Sequence, residues 1–213
     1  MEMVSPRLPN ASALDADPAL LTDAEEVVGA VFRSVFVDSF SREHFSVEQC
    51  LFAGCRFPGA RLRHLHFSDV VFRNCDFSNA ELRNCSFHRV RFLDCKLTGA
   101  DFAEGVFGFV SFERCRGEFA GFGAAKFRRA AFEACVLRSA VLSDCRFEQT
   151  AFSGCDFTSA EFFGSRLQGI SLADCEIQDA RFSDAASFEL RGARISRAQA
   201  LDLVRLLGVE FEE

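Results

Sequence analysis

The chain has no Trp and no Tyr, only four Pro and two Met, and just two lysines, Lys96 and Lys126, in 213 residues. Its aromatic content is 27 Phe, so burial does not rely on rings with a polar handle. No apolar run reaches the length of a membrane-spanning helix. The opening residues, MEMVSPRLPNASALDADPALLTDAEE, are acidic and lack a basic stretch ahead of an apolar core. That argues against a secretory signal, and a cytoplasmic location is the expectation. The four histidines, His44, His64, His66 and His88, have no Ser or Cys nucleophile with a carboxylate at a workable spacing. No Cys-x-x-Cys or Cys/His spacing suits zinc. No catalytic residue, metal or cofactor is expected, and the chain does not read as an enzyme.

What is present is a period. In CDFSNAELRNCSFHRVRFLDCKLTGADF, Cys75 to Phe102, Phe or Leu stands at 77, 82, 87, 92, 97 and 102. Five residues advance a helix by about 500°, which scatters side chains over every face. In a flat strand the same step alternates between faces. Neither regular element fits. Two residues before each centre lies a small or medium residue, as at Cys75, Ala80 and Cys85. Positions two apart in extended chain share a side, so each unit points two side chains inward and three outward. The phase holds from Val47 to Phe182 and fails once, at Gly117.

A second period of 20 lies inside the first. Cys55, Cys75, Cys95, Cys115, Cys135, Cys155 and Cys175 form one column, and Ala60 through Ala180 another. Four five-residue units per repeat define a coil with four sides, stacked as in other solenoids. Coils about 4.8 Å apart would build a rod on the order of 35–40 Å long. All ten cysteines (50, 55, 75, 85, 95, 115, 135, 145, 155 and 175) occupy the inward small position. They read as small core residues rather than as ligands or disulfides.

From about residue 30 to 195 the chain resembles the pentapeptide-repeat family, whose units follow a pattern like Ala-(Asp/Asn)-Leu-x-x. Phe replaces Leu at most centres here, and Cys often replaces Ala. The resemblance implies an all-β solenoid, a right-handed quadrilateral β-helix, with a short C-terminal α-helix. Three regions are expected: a disordered segment over 1–22, the β-helix over 23–195, and a capping or dimerisation helix with a terminal strand over 196–213. Residues 23–31 are read as a short helix or a lead-in strand. Gly105, Gly108, Gly117, Gly121 and Gly123 cluster mid-rod and are read as a bulge or, with Phe109 and Phe119, as a contact site. After Phe182 the phase slips by three, with Phe188/Leu190 and Ala193/Ile195 as new inward pairs. Ser196 with Gln199 forms a capping box.

The tail pattern Ala-x-x-Leu-x-x-x-Leu-Gly-Val is similar to the C-terminal end of the resistance proteins Qnr, MfpA and AlbG. That similarity implies a homodimer through Ala200, Leu201, Leu203, Val204, Leu207 and Phe211. It also implies binding to DNA gyrase or a related type II topoisomerase as a mimic of duplex DNA, giving resistance to quinolones or natural-product poisons. The unbroken phase leaves no room for the long loops of Qnr proteins, so an inhibitory role like that of MfpA fits better.

Residues 141–182 carry a net −4, although 47–182 balance at 17 acidic and 17 basic residues. Asp144, Asp156, Glu161, Glu176, Asp179 and Asp184 are therefore the candidates for a duplex-like surface. They form an incomplete copy, since 35 Å of duplex holds roughly 20 charges. The side centred on Phe67 to Leu167 is basic, with Arg89, Lys126, Arg128, Arg129, Arg146 and Arg166. The overall acidity argues against direct nucleic-acid binding. The alternative is a general protein-interaction scaffold with no topoisomerase role.

Overall fold

The computed structural model describes residues 4–9, 14–37, 40–183 and 188–204. From Glu26 onward the backbone winds into stacked coils paired in parallel, residue i against i+20. Phe67 lies against Phe87, Phe87 against Phe107, and Phe107 against Phe127. On the first and second sides of the coil, eight-residue strands run through a shared corner: His66–Arg73, Ser86–Leu93, Val106–Glu113 and Lys126–Glu133. On the third side the pairing narrows to the bridges Asp76–Lys96–Arg116–Val136–Asp156–Glu176. The fourth side carries Glu81–Asp101–Gly121–Val141–Glu161–Arg181. Tight turns interrupt these last two sides. Ala80 N–H, for example, donates to the Phe77 carbonyl at 3.0 Å.

The bore is filled by the expected columns. Phe87 stacks on Phe107 at 4.8 Å and 5°, and Phe92 on Phe112 at 4.8 Å and 3°. That separation is the strand spacing itself, so the backbone ladder and the ring stack share one repeat. Columns on different sides meet edge to face, as Phe102 and Phe112 do at 6.3 Å and 79°. Each buried ring contributes roughly 1.5–3 kcal/mol. All ten thiols are free and buried. Sγ of Cys95, Cys115 and Cys135 donates to the carbonyls of Phe72, Phe92 and Phe112 at 3.4, 3.4 and 3.3 Å. The cysteines are core residues that also tie adjacent coils. Burial pushes the Cys85 thiol up to about 11 and that of Cys145 up to about 12.

The coil turns its corners two residues after each centre, with positive φ. Asn74, Asn79, Asn84 and Asp94 stand there at φ 52, 55, 56 and 54°. Asn, Asp and Gly tolerate this left-handed region best. Ala134 occupies such a corner at φ 51°. Ala134→Gly is expected to raise stability by about 0.5–1 kcal/mol, since relief of the left-handed strain exceeds the entropy glycine adds to the unfolded chain. Urea unfolding checks this, and a lower midpoint would contradict it.

Phe109 and Phe119 are corner residues too, at φ 58 and 61°, which is why they fall out of phase. The mid-rod glycines make no bulge. Val106 pairs with Lys126, and Gly121 bridges both Asp101 and Val141 in unbroken register. At Gly117, the one failed centre, a Cβ would lie 3.0 Å from Leu137 Cδ2, because neighbouring leucines fill the bore.

Both ends are closed. Within the segment expected to be disordered, Ala19–Asp23 form a helix and Leu21 is buried. Leu21 faces Phe40 and Phe45 at the open end of the bore. Arg42, which breaks the repeat phase, donates to the carbonyls of Thr22 and Ala24 and lies over the Phe45 ring at 4.3 Å. The apolar first coil recruits this plug because an uncovered end would expose its rings to water. Residues 26–28 are a strand paired with Ser46–Glu48, so the lead-in strand is the reading that holds.

At the other end Ser171 bridges Arg194, 23 residues on instead of 20, which matches the three-residue slip. The inward placement of Phe188 is corrected. Phe188 is 45% exposed beneath the Arg166 guanidinium, and Glu189 is fully buried beside it. Glu189 Oε1 accepts from Gly164 N–H at 2.8 Å and from the Ser183 hydroxyl at 2.5 Å. The carboxylate goes inward because these donors need an acceptor.

The capping box forms. Ser196 N–H donates to Gln199 Oε1 at 2.7 Å, and Gln199 N–H to Ser196 Oγ at 3.2 Å. Gln199 Nε2 donates to the carbonyls of Leu172 and Cys175, which anchors helix Arg197–Val204 over the last coil. Among the described residues, no helix is long and apolar enough to cross a membrane.

Candidate interaction surfaces of the rod

The fold gathers five of the six acidic candidates at the C-terminal end. Asp156 and Glu176 are bridged neighbours on the third side, and Glu161 lies on the fourth. Asp144 and Asp179 sit at the corners that flank the fourth side, at φ 56 and 55°. Asp184 lies outside the described residues. The five carboxylates thus spread over two adjacent sides.

They are not equally available. Arg138 Nε donates to Asp156 at 2.5 Å and Arg181 to Glu161 at 2.5 Å. Burial alone would raise the Asp156 carboxyl. The Thr158 hydroxyl and amide, then Arg138, outweigh it and hold that carboxyl below its ordinary value. Asp144, Glu176 and Asp179 are exposed and have no ion pair among the described residues. The sequence reading missed the two arginines. Their signal was present, since pairs 18 to 20 apart recur along the rod at Arg63–Glu81, Asp69–Arg89 and Asp94–Arg114. Asp69 is the most buried of these acids; two bonds from Arg89, at 2.7 and 2.6 Å, hold its carboxyl below the usual range.

On the first side the outward row is cationic. Lys126 and Arg146 are register partners, with Arg128 beside them. None of the three has an ion pair among the described residues. The first side is opposite the third, so this end of the rod has a cationic and an anionic flank.

Of the expected dimer surface, Leu201 is 58% exposed, while Ala200, Leu203 and Val204 are half-buried. Leu203 packs on the core. Leu207 and Phe211, like the terminal strand, lie outside the described residues.

A four-sided parallel β-solenoid with a phenylalanine bore, plugged ends and charged flanks defines the class of protein. The chain belongs to the pentapeptide repeat family, whose repeat-region model matches residues 45–122 and 107–182.

Among solved structures it is similar to HetL, a pentapeptide repeat protein involved in heterocyst differentiation regulation from the cyanobacterium Nostoc sp. strain PCC 7120. The TM-score is 0.63 at 14% identity, over 80% of this chain and 83% of that one. A second similarity is to QnrB1, a plasmid-mediated fluoroquinolone resistance protein, with TM-score 0.34 and 22% identity over 86% and 99% of the two chains. A third is to Rfr23 from the cyanobacterium Cyanothece 51142, with TM-score 0.24 and 12% identity over 83% and 95%. The likeness to HetL speaks to fold alone. No curated protein matches the chain.

Proposed function

We propose that this pentapeptide-repeat protein is a non-enzymatic ligand of type II topoisomerase, DNA gyrase or a relative. It would occupy the duplex-binding groove with its C-terminal acidic sides and alter the enzyme's response to quinolones or natural-product poisons. The observation that carries this reading is the grouping of Asp144, Asp156, Glu161, Glu176 and Asp179 on two adjacent sides of one parallel ladder. A rod with carboxylates along one flank offers a duplex-binding groove both shape and charge. Arg138 and Arg181 offset part of that charge, so Asp144, Glu176 and Asp179 carry most of the steering.

The test is a supercoiling assay with purified gyrase, with and without drug. Micromolar protein is expected to inhibit supercoiling, less so at high salt. The variant Asp144→Lys/Glu176→Lys/Asp179→Lys should need at least about tenfold more protein. All three residues are exposed, so the substitutions leave the core intact. No effect from the wild-type chain, or equal effects from both, would favour the general scaffold.

A further inference from the structure

Outward residues of a solenoid face water, yet four between Val47 and Phe182 are buried. They are Asp69, Val71, Leu93 and Ser111, at 4, 4, 8 and 6% exposure. All four lie on the second side or at the corner it shares with the first. Further along the same side, Ala151 and Ser153 are exposed. Chain from outside the coils must therefore cover the second side over these three coils.

The N-terminal segment lies there. Arg7 N–H donates to Asp69 Oδ1 at 3.0 Å. Val4 and Ser5 line a cleft with Phe109, Ser111 and Glu113, two coils further on. Three extended residues reach roughly 10 Å, which matches two coil steps of about 4.8 Å each. Residues 4–7 thus run along the rod, across the strands. Nearer the first coil, on the same side, Asp15 pairs with Arg33 and Ala16 N–H donates to the Val31 carbonyl at 2.7 Å.

The contacts define what this side accepts. Asp69 takes two bonds from Arg89, at 2.7 and 2.6 Å. The Arg7 amide adds a third donor, and a buried carboxylate needs its remaining lone pairs satisfied. Arg89 offsets the charge of Asp69, and Arg91 that of Glu113. Selection therefore rests on shape and one backbone donor rather than on charge. Pro6 and Pro9 are half-buried on either side of Arg7. Proline brings no N–H that would need an acceptor, and it keeps the residue before it extended. The segment underfills its site. Val4 and Leu8 stay 47 and 42% exposed, and the cleft beside Val4 has a volume of 240 Å³.

We propose that the second side, from Asp69 to Ser111, is a docking groove for an extended, proline-flanked apolar segment of a partner protein, and that residues 4–9 hold it shut as an intramolecular strap. The partner's segment takes the strap's place. One of its backbone N–H groups meets Asp69, and its apolar side chains cover Val71 and Leu93. A tethered strap competes at an effective concentration on the order of millimolar. A displacing segment must therefore cover more surface than the strap does, and the cleft beside Val4 is where it gains that surface.

Fluorescence anisotropy tests this with a labelled peptide of residues 1–15 and two full-length chains, wild type and Val4→Asp/Arg7→Pro. The double substitution removes the Arg7 N–H and sets a carboxylate near Glu113 and Glu133, which loosens the strap. Val4 and Arg7 are exposed and lie outside the coils, so the core is left intact. Saturable binding to the variant is expected, at least about tenfold tighter than to the wild type. N-methylation of the peptide's Arg7 amide should weaken that binding by at least about tenfold, a comparison that alters the peptide alone. Absence of saturable binding to the variant, equal binding by the two chains, or equal binding of the N-methylated peptide would each overturn the proposal. So would a wild-type dimer that the double substitution dissolves, since the strap would then sit on a second copy.

Discussion

Raising the pH from about 7 to 10 is expected to unfold this protein through its thiols. An unfolded thiol ionises near 8.5. Burial pushes Cys85 up to about 11 and Cys145 up to about 12, and it raises Cys50 as well. The folded chain therefore holds protons that the unfolded chain releases. The stability tied to these groups is fully present below about 8.5 and is lost as pH rises through the folded values. At pH 10 the loss is about 2 kcal/mol each for Cys85 and Cys145, roughly 4 kcal/mol together against a typical total of 5–15, and the raised Cys50 adds to it.

The absence of Tyr removes the phenols that would otherwise titrate in this range, and lysines number only two. Thiolate absorbance should thus rise together with the loss of far-ultraviolet circular dichroism, in one cooperative step. Replacing Cys85 and Cys145 by Ala should move the midpoint to higher pH, despite the packing lost at neutral pH. Thiols that titrate near 8.5 while the β signal persists would contradict the account.

The second large effect is mechanical. Phe112→Ala should cost about 3–5 kcal/mol in urea unfolding. The ring is 1% exposed and stacks on Phe92 at 4.8 Å and on Phe132 at 4.6 Å. It also meets Phe102 and Phe122 edge to face, at 6.3 and 5.9 Å. Its removal opens a cavity with no free side chain to fill it, because every neighbour is held by its own ladder. Phe182→Ala should cost distinctly less, since that ring is 6% exposed and has one aromatic neighbour among the described residues, Phe162 at 5.5 Å. In a solenoid each coil is stabilised by its neighbours on both sides, so mid-rod losses propagate and terminal ones fray. Equal costs at the two positions would rule out this one-dimensional coupling.

Much of the fold was legible because its information is local. Inward and outward positions repeat every five residues, and the chemistry of Phe77, Cys75 or Ala80 declares its side without reference to distant chain. The capping box at Ser196 and Gln199 and the three-residue slip after Phe182 were readable for the same reason. The left-handed corners are legible only where Asn, Asp or Gly stands two residues past a centre, as at Asn74 and Asp94; at Arg114, Phe119 or Ala134 the residue type gives no sign of them. The candidate surface was legible only as a list of acids. Whether Asp156 or Glu161 keeps its charge free depends on Arg138 and Arg181, which reach them across a coil.

The sequence by itself determined the four-sided coil, its phenylalanine bore and its cysteine columns, because a strict period leaves only one way to separate apolar from polar side chains. The tertiary structure decided the rest: the Leu21 plug, the exchange of Phe188 for Glu189 inside, the pairing of the acids, and the loss of backbone pairing between 146–153 and the coil that follows. Each of these depends on what one coil offers the next, and a period describes a coil without saying whether its neighbour is extended or turned.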